Sequence, residues 1–295
     1  MAVETETVPR RESALLRFLK SIALIRESPV GTIGLGIILF WVLVALLADI
    51  IAPFPPNTNY VPLMSPFTPT LDGEGMYWLG TDLQGRDVLS RIIHGSRKVL
   101  LLAPFATFCA YLVGIPMGLA AGYKRGIADD VLSFLSNVIL SFPILVLYVI
   151  IIATIGSSAL NILLAVTFAS APGIMRIVRG LVLDLRNREY VFAAETRGES
   201  PWRIMLVEIL PNARGPLIVD ACLRVGYVII TIGVLGFLGL GLPPPDPDWG
   251  GMINEYRVMS MSFPHMTVFP CLAISSLVLG FNLLADGLRE VSLRD

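Results

Sequence analysis

Few residues of this 295-residue chain have the types and spacing needed for chemistry. Histidine occurs only at His94 and His265, and the three cysteines each stand alone in an apolar segment, so neither set has metal-ligand spacing. The sequence contains no G-x-x-x-x-G-K-[ST] phosphate loop, no H-E-x-x-H pair and no G-x-S-x-G nucleophile motif. We therefore expect a chain with no catalytic residues, no metal site and no cofactor of its own.

Charged residues that could carry ions through a membrane are also scarce. Asp49 and Asp286 fall near the ends of apolar segments, and Asp220 and Arg224 stand four residues apart near the predicted start of another. An acid four residues before a base can form an ion pair on a helix. We interpret this one as structural, with a role in an ion pathway as the alternative. A transporter driven by an ion gradient would be expected to bury more charges and to show matching broken helices in its two halves.

The composition predicts an integral membrane protein. Hydrophobic residues make up 55% of the chain and charged residues 15%, against about 25% charged in soluble domains. Six apolar segments predict an all-α fold with six transmembrane helices. Their ranges are 30–52, 99–122, 131–155, 159–175, 216–242 and 266–285. Pro143 is expected to kink the third helix, and Gly114, Gly118 and Gly122 are spaced for close approach to another helix.

The segments between the helices predict the organisation and orientation of the chain. Residues 1–29 form a basic N-terminal segment, 30–52 the first transmembrane helix, 53–97 an extracytoplasmic loop with a short surface helix capped by Thr81 or Asp82, 98–286 the main transmembrane domain and 287–295 a tail. Seventeen basic residues fall on the side of the two termini and five on the other side. The positive-inside rule therefore predicts that both termini are cytoplasmic.

The most charged stretch between two apolar segments is residues 187–212, which we call the hairpin. Its pattern predicts two short helices around Gly198, the second starting with Ser200 as N-cap and Pro201 as first helical residue, and ending at Pro211. In that second helix Trp202, Met205, Leu206 and Ile209 share one predicted apolar face. Two interpretations remain open: an amphipathic interfacial hairpin, or a docking element for a soluble partner.

The hairpin resembles the E-A-A-x-x-x-G-x(9)-I-x-L-P signature of permease subunits of bacterial ABC importers. The signature is read here at Phe192, Ala193, Ala194, Gly198, Leu210 and Pro211, and two positions depart from it. Phe192 replaces the usual glutamate and Glu208 the usual isoleucine. Three further stretches, WLGTDLQGRDVLSR, GFLGLGLPPPDPDWGGM and FNLLADGLRE, resemble the C-type subunit of the dipeptide, oligopeptide and nickel branch.

This resemblance implies a type I ABC importer permease with a MetI-like fold in the bacterial cytoplasmic (inner) membrane. The chain would form half of a pore for di- or oligopeptides together with a B-type permease. Two cytoplasmic ATPase subunits or domains would hold the ATP and Mg²⁺, and an extracytoplasmic solute-binding protein would deliver the substrate. Lipid would surround the chain, and no nucleic acid is involved. Nickel, a glycoside or another small conjugate is the alternative substrate, and a membrane scaffold or polytopic enzyme is the alternative class.

The same resemblance makes the hairpin a coupling element that docks on an ATPase. The residues expected to take part are Phe192, Ala193, Ala194, Glu195, Arg197, Gly198, Trp202, Met205, Leu206, Leu210 and Pro211. No substrate-binding residue is assigned from the sequence.

Overall fold

The computed structural model describes residues 28–73 and 75–292, and most of them are helical. The N-terminal segment up to residue 27 and the last three residues of the tail lie outside the described residues. The longer helices are α1 (Pro29–Leu46), α3 (Val88–Lys124), α4 (Ile127–Leu140), α5 (Ile144–Ile155), α6 (Ala159–Leu185), α9 (Leu210–Phe237) and α11 (Pro264–Ser292). The shorter ones are α2 (Ala48–Ile51), α7 (Glu189–Thr196), α8 (Pro201–Arg203) and α10 (Trp249–Tyr256), and two short strands, β1 (Thr68–Pro69) and β2 (Met76–Tyr77), form an antiparallel pair.

Five helices in the described part of the chain are long and apolar enough to cross a membrane, and a bent pair makes a sixth. The bent pair is α4 and α5, whose axes differ by 85°. The break falls at Pro143, which is the N-cap of α5 and cannot continue the hydrogen-bond ladder of α4. The predicted kink is therefore a complete break, and the third span is two short helices.

The predicted surface helix of residues 81–97 is wrong as a separate element. Asp87, rather than Thr81 or Asp82, caps the helix by accepting a hydrogen bond from the Ser90 backbone N–H at 2.7 Å, and α3 then runs unbroken for 37 residues. At 1.5 Å per residue it is about 55 Å long. Its polar residues have protein partners: Arg97 pairs with Asp49 at 2.8 Å and Lys98 with Asp246 at 3.0 Å. Because these charged residues are paired, they can stay within the helix, and α3 continues into the span without a break.

The glycines of α3 bring it against α6, as predicted. A Cβ added at Gly118 would lie 2.5 Å from the Cβ of Val178, and one at Gly122 would lie 2.7 Å from the Cβ of Val182. Because real Cβ atoms do not approach so closely, only glycine permits this backbone distance. The two helices form the wall on which the hairpin packs.

At the other end of α3, residues 53–87 and α10 form a structure that we call the cap. The fully buried Asp82 carboxylate accepts hydrogen bonds from Arg86 Nε at 2.6 Å and from the Tyr256 hydroxyl at 3.0 Å. Arg86 also pairs with Glu255. Trp249, which is also fully buried, donates from Nε1 to the Ile92 carbonyl at 2.9 Å. These contacts fix α10 to the start of α3.

Candidate functional site

The turn of the hairpin is closed by its own backbone. After α7, Gly198 adopts φ +75°, a conformation that favours glycine. The Gly198 N–H donates to the Glu195 carbonyl at 2.9 Å, and the Glu199 N–H donates to the Ala194 carbonyl at 3.2 Å. This pair of bonds is a Schellman motif, so the predicted role of Gly198 in ending the first helix is confirmed.

The second half of the hairpin starts as predicted but does not stop at Pro211. Ser200 caps α8 by accepting from the Arg203 N–H at 3.4 Å, and a π-helical turn, Ile204–Ile209, leads directly into α9. In that turn the Leu210 N–H reaches back five residues to the Met205 carbonyl. The wider turn accommodates a proline that has no N–H to donate, so the helix stays continuous over Pro201–Phe237. The hairpin is thereby joined rigidly to a membrane span.

The predicted single apolar face of this second half is also wrong. Met205 and Ile209 are fully buried, whereas Trp202 is 53% exposed and Leu206 is 51% exposed. The hydrogen bonds of the π turn have i→i+5 spacing, so a 3.6-residue period does not hold through it. Met205 therefore belongs to the core of this chain and is not available to a partner.

The hairpin packs on the ends of α3 and α6, which lie against each other. Its buried residues Val191, Ala194, Ile204, Met205 and Ile209 lie in one apolar cluster with residues of those two helices, including Leu119 and Val182. The hydroxyl of Tyr123 donates to Glu195 Oε1 at 2.8 Å, and Arg186 Nη1 donates to the Tyr123 carbonyl at 3.2 Å. Lys124 Nζ lies 5.4 Å from the centre of the Trp202 ring, within the range of a cation–π contact.

Sequence reasoning did not identify Tyr123, Lys124 and Arg186 as part of this site. The available signal was the position of Tyr123 and Lys124 directly after the glycine stripe, where α3 ends. Their partners are 60 or more residues away in the sequence, so local patterns do not connect them to the hairpin.

Glu199, which also lies outside the predicted set, links the two halves of the hairpin. Its carboxylate accepts from Arg197 Nη2 at 2.8 Å and from Arg203 Nε at 3.2 Å. The hydrogen bond from Arg197 is the main cause that lowers the pKa of Glu199 below its ordinary value. Glu208, one of the two departures from the family signature, lies 4.0 Å from Arg197, so it takes part in the same charged group.

The predicted coupling residues fall into three places in the structure. Phe192, Ala193, Glu195, Arg197, Gly198 and Trp202 are exposed on the hairpin, Ala194 and Met205 are buried beneath it, and Leu206, Leu210 and Pro211 line a groove between α3 and α9. This groove has a volume of about 700 Å³, and its α3 side includes Phe108 and Leu112. The surface that a soluble partner can reach is therefore the first group, with Phe192 and Trp202 as its large apolar residues. We call this group the hairpin face.

Comparisons with known proteins identify the family of this chain. A family model described as "Binding-protein-dependent transport system inner membrane component" matches residues 114–294, and one described as "N-terminal TM domain of oligopeptide transport permease C" matches residues 24–70. The first of these ranges covers the glycine stripe from Gly114 onward, the broken span, the hairpin and α9.

Similar curated proteins are permeases of peptide transport systems. The chain is 41% identical to the glutathione transport system permease protein GsiD of Pectobacterium atrosepticum, over 72% of this chain and 71% of the relative. It is 38% identical to the dipeptide transport system permease protein DppC of Haemophilus influenzae, over 88% of each chain. It is 36% identical to DppC of Alkalihalophilus pseudofirmus, over 90% of this chain and 86% of the relative.

A solved structure supports the fold. The MetNI methionine ABC transporter in inward facing conformations aligns with a TM-score of 0.54 and 21% identity, over 70% of this chain and 96% of that chain. One family model covers more than half of the chain, and the relatives cover most of it at 36–41% identity. The chain therefore belongs to the inner-membrane component family of binding-protein-dependent transport systems, as a multi-pass permease subunit of the ABC importer type in a bacterial inner membrane.

Proposed function

We propose that this chain forms half of the translocation pore of an ATP-driven importer for di- or oligopeptides. The other half is a B-type permease, two cytoplasmic ATPase subunits or domains bind and hydrolyse ATP with Mg²⁺, and an extracytoplasmic solute-binding protein delivers the peptide. The peptide substrate is inferred from the relatives, which are named as permeases of dipeptide and glutathione systems. The distribution of basic residues, seventeen against five, supports placing the hairpin and both termini in the cytoplasm.

The observation that carries this proposal is the construction of the hairpin. Its inner side is fixed to α3 and α6 by an apolar cluster, its second half continues into α9 without a break, and its outer side exposes Phe192 and Trp202. An ATPase that binds this face and moves would therefore move α9 with it. Helix-in-groove contacts of this kind use exposed apolar anchors on a preformed helix.

The departure at Phe192 fits a docking role. A glutamate at this position would offer a carboxylate to the ATPase, whereas the half-exposed phenylalanine offers apolar area. Burial of apolar surface contributes about 25 cal/mol per Å² removed from water. We infer that the partner ATPase provides an apolar pocket opposite Phe192.

The proposal is tested by co-expressing the chain with the other subunits of its importer and changing Ala193 to tryptophan. Ala193 is exposed, so an indole there is accommodated by the chain itself but blocks close approach of a partner. We expect the ATPase subunits to stop copurifying and ATP-dependent peptide uptake to fall to background, while the two permeases still assemble. The matched control is Met261→Trp, at a position that is 95% exposed and lies beyond the far end of α9.

Two results would overturn the proposal. Normal copurification and uptake with Ala193→Trp would show that the hairpin face is not the ATPase contact. A wild-type complex that hydrolyses ATP in response to its binding protein but moves no peptide would show that the substrate class is wrong.

A further inference from the structure

Arg224 lies in the middle of the long helix α9, which includes the fifth membrane span. It is 14 residues after the first residue of α9 and 13 before the last, about 20 Å from either end at 1.5 Å per residue. The sequence predicts that this part of α9 is near the cytoplasmic start of the fifth span, which begins at about residue 216. A charged side chain within a membrane span is costly and usually serves a function.

The ion pair predicted from the sequence is present, and it uses one side of the guanidinium. Arg224 Nε donates to Asp220 Oδ2 at 2.6 Å, and the Tyr111 hydroxyl donates to the same carboxylate oxygen. The terminal nitrogens Nη1 and Nη2 face Gly173 of α6: a Cβ added there would lie 3.3 Å and 3.4 Å from them. Asp220 therefore positions Arg224, and the terminal nitrogens of the Arg224 guanidinium lie next to α6.

Arg224 and Gly173, which the terminal nitrogens face, both line a cavity of about 390 Å³ at the break of the third span. The cavity is bordered by Leu140 and Ile144 on either side of the break, by Ser170 on α6, and by Tyr227 and Thr231 on α9. Tyr227 is 65% exposed, so α9 presents this wall outward from the helices of its own chain. The volume is within the range of small-molecule sites, about 300–1,000 Å³.

We infer that this cavity is a binding site for the carboxylate of the transported solute, with the terminal guanidinium nitrogens of Arg224 as the binding group. This rests on the proposed function, because peptides and glutathione carry free carboxylates. A guanidinium binds a carboxylate through two parallel N–H groups, and such charge-assisted hydrogen bonds are roughly twice as strong as neutral ones.

The test uses the complete importer, with its partner permease, ATPases and binding protein, reconstituted into proteoliposomes. ATP-dependent uptake of radiolabelled dialanine and of reduced glutathione is measured at concentrations below saturation. Arg224→Gln is expected to lower uptake of whichever peptide the wild type moves by about tenfold or more, which corresponds to the loss of a charge-assisted hydrogen bond. Arg224→Lys is expected to restore part of it, because the charge is kept and the planar fork is lost.

Changes at Asp220 distinguish solute binding from a purely structural ion pair. If Arg224 binds solute, Asp220→Asn lowers uptake by only about threefold, since an amide oxygen can still accept from Nε, and the double variant Asp220→Asn/Arg224→Gln is as inactive as Arg224→Gln alone. If the pair is only structural, the two single variants are equally harmful and the double variant recovers, because no unpaired charge remains. Copurified ATPase and its hydrolysis rate confirm that each complex has assembled.

The possible results distinguish a failure of the proposed function from a failure of the carboxylate-binding site at Arg224. A wild-type importer that moves neither peptide overturns the proposed function. If the wild type moves peptide but Arg224→Gln is unimpaired or the double variant recovers, only the carboxylate-binding site is overturned.

Discussion

The two ends of α3 are held by different physical means. At the cap, charged groups are removed from water: the Asp82 side chain is fully buried, that of Arg86 is 5% exposed and that of Arg91 is 2% exposed. At the hairpin the arginines remain in water, with the side chains of Arg197 and Arg203 56% and 65% exposed, while the Glu199 side chain between them is 16% exposed. There the apolar cluster under Met205 provides the attachment. One continuous helix therefore connects an end where charged and apolar groups are buried together to an end where apolar groups are buried beneath exposed arginines.

The difference matters because the two kinds of contact respond differently to the loss of one partner. A buried ion pair that loses one member leaves an uncompensated charge, whereas an exposed pair that loses one member leaves a charge that water solvates. The hairpin can therefore keep an outer surface rich in charge and free for a partner without depending on it for stability. The charges of the cap are buried, so its stability does depend on them.

The largest expected effect is at the centre of the cap. Asp82→Asn removes the charge that faces both Arg86 and Arg91 and leaves Arg86 paired with Glu255. Loss of one member of a buried pair costs about 3–5 kcal/mol. We expect a large fall in the thermal unfolding midpoint of the detergent-solubilised protein and a low yield of the importer complex.

Asp72→Asn is the matched control for Asp82→Asn. Asp72 lies in the same cap but is exposed, so its substitution should change the free energy of unfolding by no more than about 0.5 kcal/mol. Equal effects of the two substitutions would show that burial does not determine the contribution of charges in the cap, and the comparison between the two ends would fail.

A smaller effect is expected from the pH dependence of Asp248, the N-cap of α10. Burial is the main cause that raises the pKa of this carboxyl to about 6, against opposing hydrogen bonds from the N–H groups of Gly251 and Gly250. The folded state therefore holds the proton more tightly than the unfolded state does, and stability present at low pH is lost as the pH rises through 6. Between pH 5 and 7 the loss is about 1 kcal/mol.

This effect is measured by comparing unfolding midpoints at pH 5 and pH 7 in the wild type and in Asp248→Asn. We expect the wild type to lose stability over this interval and the variant, which has no titrating group at residue 248, to lose about 1 kcal/mol less. A wild type that gains stability from pH 5 to 7 relative to the variant would show that the hydrogen bonds to the carboxylate outweigh its burial.

How far the sequence predicted these two ends depends on how local their interactions are. The turn of the hairpin was predictable because Gly198, Ser200 and Pro201 act on backbone atoms within five residues. The continuity of α3 was not, because Arg97 and Lys98 are compensated by Asp49 and Asp246, which are 48 and 148 residues away. When those distant partners are not known, a charged stretch beside an apolar one predicts a separate surface helix.

The same reasoning applies to the candidate site. The family signature identified the hairpin, and two of its exposed apolar residues, Phe192 and Trp202, were in the predicted set. The burial of Met205 was missed because it follows from a π turn, and a π turn before a proline has the same sequence pattern as an ordinary helix end. The environment of Arg224 was missed because Gly173 and the broken span come from other parts of the chain.

The smallest expected effect is at Glu199, and it is the sharpest test of the hairpin end. The Glu199→Gln variant loses the charge that attracts Arg197 and Arg203, but the backbone hydrogen bond from residue 199 to the Ala194 carbonyl is unaffected, and so is the cluster around Met205. Because both arginines are more than half exposed, water replaces the carboxylate. We expect an unfolding midpoint within experimental error of the wild type and ATP-dependent uptake within twofold. A fall in the midpoint comparable to that of Asp82→Asn would mean that the hairpin, like the cap, is held together by its charges.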